Sequence, residues 1–218
     1  MITATVRRGG DLLMAGPVRG IAAEVAPLLG RLEEFGPKAL AVGISFDELT
    51  GLNDHFVGRP SEPLVPLTTN EAAEVKGLTQ FGEVRVPNPS VVAALEWAAA
   101  RSIPVEAVDP SDETYATLFT KNISYLELVR RTLRERKLAK RGVAAANADD
   151  FAAAWHSELT PGNGSRRFGA AREEAVCLAT EALLGRFGRV ALLIDRERFD
   201  SVAARMRGGP SAGPTSPA

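Results

Sequence analysis

An α/β fold, one domain built on a mostly parallel sheet of about five strands, is what this sequence predicts, and three observations predict it. The apolar runs "LLMAG", "ALAV" and "RVALLI" are short and continuous, as strands covered on both faces are. Longer segments with apolar residues at helical spacing lie between them. Gly and Pro mark the changes from one kind to the other. Strands alternating with helices imply a sheet with helices on its faces.

Taken in order, "ITATVRRGGDLLMAG" predicts a hairpin turning at Gly9-Gly10, its second strand over about 11–15 entering the sheet. After Gly16-Pro17, residues Ile21, Val25, Leu28, Leu29 and Leu32 predict a helix that stops at Gly36-Pro37. "ALAV" (39–42) is the next buried strand. "ISFDELTGLNDHFVG" reads as a short helix, followed by a proline-bearing connector from Arg59 to Thr69. "TNEAAEVKGLTQFG" is a helix with Thr69 or Asn70 as N-cap and Glu71 in its first turn. A helix over 89–101 leads into the strand "PVEAVD" (104–109). Polar helices over 124–141 and 147–158 make an insertion around 120–160, and "GNGS" (162–165) breaks the chain before a long helix over 166–186. That helix feeds "RVALLI", whose end, "DRERFD" (195–200), is charged at five of six positions. Strand ends of this kind are where open α/β sheets handle ligands. The domain is expected over 1–207, and the Gly/Pro/Ser-rich tail over 208–218 is expected to be disordered.

Composition narrows the function classes. With 26 basic and 27 acidic residues, the net charge of −1 gives no general drive toward nucleic acid or anionic membrane. No apolar run approaches the roughly 18 residues of a membrane span, and "MITATVRRGG" lacks a signal-peptide core, so a cytoplasmic protein is expected. The single cysteine, Cys177, excludes an intramolecular disulfide and reads as a buried thiol. The only histidines, His55 and His156, read as surface residues and not as partners in a metal site. "GDLLMAGPVRG" lacks both the G-x-G-x-x-G spacing and a Walker lysine, and no G-x-S-x-G elbow is present. The basic stretch "RRTLRERKLAKR" (130–141) has no interleaved aromatics. It reads as a solvated helix face, with Leu133 and Leu138 on the side that packs.

Five segments in order resemble the TraB/GumN family, relatives of the Tiki and ChaN-like proteins. They are "LLMAGPVRG", "FGPKALAVGISFDEL", "NPSVVAALEWAAARSIPVEAVDPSDETYATL", "AAREEAVCLATEAL" and "GRVALLIDRERF", and the resemblance runs from about Asp11 to Met206. It implies a TraB-like fold, shared with ChaN- and erythromycin-esterase-like proteins, and a metal-dependent hydrolase or peptidase site built from two histidines and a glutamate. Here those three places hold Arg19, Arg198 and Gly43, and Pro110 stands where an arginine is expected. Asp109 and Arg172, with Glu173 beside it, keep the pattern. Guanidinium has no lone pair to donate and stays protonated, so the substitutions remove metal-ligand chemistry by that route.

The expectation is a catalytically degenerate TraB-like protein that acts by binding, with no catalytic residue, resident metal or cofactor. If its fold is the family's, Arg19, Arg172 and Arg198 face one crevice lined by Gly16, Gly43, Asp109, Glu173, Asp195 and Glu197, where they bind an anion or are paired internally. The partner is then a small anionic ligand or a protein, and a homo-oligomer stays open. The alternatives are an active hydrolase of the family with rearranged residues, and a scaffold or nucleic-acid-associated protein using the 130–141 helix.

Overall fold

The structure, a computed structural model, describes residues 1–56 and 68–208, without the side chains of 54–56. Among the described residues five strands form one sheet: β1 (Ile2–Arg7), β2 (Asp11–Gly16), β3 (Ala39–Val42), β4 (Val105–Ala107) and β5 (Arg189–Leu193). Their order is β1-β2-β5-β3-β4. β1 and β2 make the antiparallel hairpin, and every other pairing is parallel. The mixed α/β, mostly parallel architecture is the one expected, and β5, the last of the described strands in sequence, lies at its centre.

Side chains alternate across this sheet, and both faces are covered. Leu12, Met14, Val190, Leu192, Ala39 and Ala41 point to one side; Leu13, Ala15, Ala191, Leu193, Leu40 and Val42 point to the other, all essentially buried. The first side packs against α8 (Asn163–Phe187) and α9 (Arg196–Gly208), and the second against α1 (Val25–Phe35), α2 (Phe46–Phe56) and α4 (Pro89–Ala99). A third core, around Phe151 and Trp155, joins α3 (Thr69–Leu78), α6 (Tyr125–Arg141) and α7 (Ala148–Leu159). α5 (Asp112–Asn122) packs on α8.

Several expected boundaries move for local reasons. The first helix starts at Val25, because Gly20 has φ +91° and Ile21 is extended, bridged to Val84; only a 3-10 turn over Ala22–Glu24 precedes it. The N-cap of α3 is Thr68, not Thr69 or Asn70. Its hydroxyl accepts from the Glu71 N–H (3.2 Å) while the Glu71 carboxylate accepts from the Thr68 N–H (2.9 Å), a reciprocal pair that needs three-residue spacing. α5 is a helix that the sequence reading did not place, started by Ser111 accepting from the Thr114 N–H and masked by its β-branched threonines. The connector over 59–67, the tail beyond 208 and the His55 side chain lie outside the described residues. Cys177 is buried, and burial pushes its thiol up to about 11. Among the described residues no helix is long and apolar enough to cross a membrane.

Candidate functional site

The site lies beyond the carboxyl ends of β3, β4 and β5. Val108 N–H donates to the Val42 carbonyl (2.9 Å) and Asp109 N–H to the Ile44 carbonyl (3.2 Å), which carries the β4 pairing past its end and fixes Asp109 at the sheet edge. Ile194 N–H and Arg196 N–H donate to the Ala15 and Pro17 carbonyls (both 3.0 Å), so the start of α9 is tied to the end of β2. "DRERFD" is therefore the entry to a helix, and its side chains part in different directions. Arg196 donates to Asp149 of α7 (2.8 Å) and to Asp200 (3.0 Å). Phe199 enters the core, and Arg198 turns inward with its side chain 7% exposed.

Arg198 and Arg172 meet on one carboxylate. Arg198 donates from both terminal nitrogens to the two Asp109 oxygens (3.1 Å each). Arg172 donates from Nε to Oδ1 (2.9 Å) and from Nη2 to Oδ2. The Asp109 side chain is 3% exposed and that of Arg172 28%. Two guanidinium groups against one carboxylate leave one positive charge over in a place poor in water. Arg172 also lies over the Tyr115 ring, 5.3 Å from its centroid, where the ring face attracts a cation.

A crevice of about 370 Å³ opens beside this triad, walled by α5 to α9. Arg172 and Arg198 line it together with Arg131, His156 and Arg166, and Tyr115 and Phe168 supply apolar wall. Arg131 is half-buried and paired with Glu135 (2.9 Å); Arg166 is exposed and, among the described residues, its side chain donates to the neutral Asn163 amide oxygen alone. Glu173 lines the crevice too, but its oxygens accept from Ser201 (2.7 Å) and Arg205 (3.2 Å) of α9. Glu197 lines it with its carboxyl pushed up to about 8, by burial first and then by Asp195. The His156 pKa is lowered, by burial first and then by Arg198. At neutral pH the walls thus carry more positive than negative charge.

The other expected site residues do not reach this crevice. Arg19 is exposed at the end of β2, and the charges acting on it are Asp195, Glu48, Glu74 and Glu71. Partial shielding of its guanidinium from water by neighbouring groups works against its charge, but those carboxylates outweigh that effect and raise its pKa. The expectation that three arginines share one crevice is corrected to two, because Arg19 sits among acids on the α2/α3 side. Gly16 is not a lining residue: a Cβ there would stand 2.6 Å from Phe199 Cδ2, so glycine admits the α9 ring against the sheet. Gly43 and Asp195 border a dimple of about 10 Å³, about the space of one water. A Cβ at Gly43 would stand 2.5 Å from Ile194 Cδ1, so the place of the expected glutamate is filled by core. Among the described residues no group of three His, Cys, Asp or Glu side chains is arranged to hold a metal ion.

One further carboxylate organises the site. Glu127 of α6 accepts from the N–H groups of Gly164 (3.2 Å) and Ser165 (2.8 Å) and from the Ser165 hydroxyl (3.0 Å), capping α8 from outside. The Ser165 N–H bond, above all, holds its pKa below the ordinary value. Any Cβ at Gly162 or Gly164 would collide with Glu127, which explains the glycines of "GNGS". Sequence reasoning missed Tyr115, Arg131, His156, Arg166 and Phe168. Their one local signal was the Gly-rich break before Arg166; the rest come together only by packing of separate helices.

Compared with known proteins, the chain matches no family model and no curated sequence.

Proposed function

We propose that this chain is a TraB-like protein without the family's hydrolytic site, which works by capturing a small oxyanion, a carboxylate or phosphate group, in the crevice between α8, α9 and the helices of 112–159. The observation that carries this reading is the pairing of two guanidiniums with a single buried carboxylate, in a crevice whose walls hold further arginine. The surplus charge is costly in a site of low dielectric unless an anion joins it. Planar guanidinium edges match the geometry of carboxylate and phosphate oxygens. Arg198, in the position of a family histidine, has its donors committed to Asp109 and no lone pair for a metal.

Thermal unfolding in phosphate and citrate, against chloride at equal ionic strength, tests the proposal. A saturable rise is expected with the oxyanions alone; at a hundredfold excess over Kd it corresponds to about 2.7 kcal/mol. Arg166→Ala, at an exposed position, should abolish the rise and leave the unliganded Tm unchanged. The bound anion should also raise the His156 pKa, read by NMR. A flat screen, or an equal rise in Arg166→Ala together with an unmoved His156 pKa, overturns the reading.

A further inference from the structure

The outward face of α6 carries a pattern that the crevice does not use. Glu127, Arg131 and Leu138 turn inward, to the α8 cap, the crevice and the third core. On the opposite side, Tyr125, Val129 and Leu133 follow one another at four-residue spacing, with Leu126 beside them, and are 82%, 38%, 60% and 57% exposed. Leu133, expected to pack inward, therefore points to solvent. The same side then continues as Lys137 and Lys140, both exposed, with Arg136 at its edge, where it also lines a cavity toward Thr68–Glu71 at the start of α3. Over its 17 residues, about 26 Å, the face that none of the described residues covers is apolar in its first half and cationic in its second. Three large apolar groups in register with a fourth beside them are more than a merely solvated face needs.

We propose that this face docks an amphipathic helical segment of another protein, apolar over two turns and carrying Asp or Glu over the next two. Charge decides against a second copy of the chain. Parallel pairing would set Lys137 and Lys140 against their own equivalents. Antiparallel pairing would bring them toward residues 121–124, which offer Lys121 and no carboxylate, because Glu127 is turned away. Segregation along the helix decides against a bilayer, since an interfacial helix keeps its cations at the flanks of an apolar stripe and not in line with it. An acidic amphipathic segment satisfies both halves at once.

The test measures fluorescence anisotropy with a labelled synthetic helix of about 18 residues, Leu along one face of its first half and Glu along the same face of its second. Saturable binding is expected. Leu133→Glu and Lys140→Glu should each weaken it about tenfold or more, without changing the Tm or the anion response of the crevice, since both side chains are exposed and lie outside it. A peptide with Lys in place of Glu should not bind. The proposal falls if the acidic peptide fails to bind, if the Lys peptide binds equally, or if the variants leave binding unchanged. It falls equally if the face serves duplex DNA or phosphatidylserine vesicles in the peptide's place, or if Leu133→Glu abolishes a self-association seen by sedimentation.

Discussion

At the scale of the residue, Asp109 is the hinge of the site chemistry. It is the only carboxylate contacting the Arg172 and Arg198 guanidiniums among the described residues, and its removal leaves a buried and a half-buried like charge facing each other. Asp109→Ala should therefore destabilise the protein by about 3–5 kcal/mol. Arg198→Met should cost less, about 1–3 kcal/mol, because it leaves Arg172 and Asp109 as a neutral pair. Urea unfolding of the two variants checks the order; a costlier Arg198→Met would mean that the arginine acts mainly through packing. Asp109 and Arg172 could be marked from the sequence only through the family resemblance, whose pattern they keep. The pairing could not, since nothing local says that positions 109, 172 and 198 share four hydrogen bonds.

At the scale of the element, strands and most helices were legible because their signals are local. Continuous apolar runs marked β2, β3 and β5, and Gly or Pro marked their ends. Errors arose where a distant partner decides. Ile21 left the first helix to bridge Val84, and Leu133 faced outward although its spacing fits either face. The "GNGS" break was visible, but its reason is Glu127, 37 residues earlier. That carboxylate replaces an N-cap for α8, whose own capping position is Gly162 with no side chain to offer. Glu127→Ala should cost about 1–3 kcal/mol. It should also speed hydrogen exchange in the first turn of α8 more than in β5. Uniform exchange changes would show that Glu127 contributes only to global stability.

At the scale of the whole molecule, carboxyls around the strand ends tie stability to pH. Burial raises Glu197 to about 8 and Glu74 to about 7 from an ordinary 4.5. The folded protein then holds protons that the unfolded chain releases, so this contribution is complete below about pH 4.5 and declines as pH rises toward 8. His156, with its pKa lowered from 6.5, works in the opposite direction below that value, so a difference isolates the acid. Glu197→Gln should gain stability relative to wild type as pH climbs from about 5 to 8, and the gain should level off above. Chemical denaturation at several pH values reads this; a pH-independent difference would remove Glu197 as the source.

The central position of β5 has a consequence for synthesis. β2 and β3 leave the ribosome well before β5, yet they never touch each other: each pairs with β5, whose residues follow the long helix α8. Until residues 189–193 arrive, the nascent chain holds two apolar strands with open edges, the kind that recruit other chains. A product that stops short of Arg189 is thus expected to aggregate rather than to persist as a smaller domain. Slower elongation through α8 would only prolong the exposure.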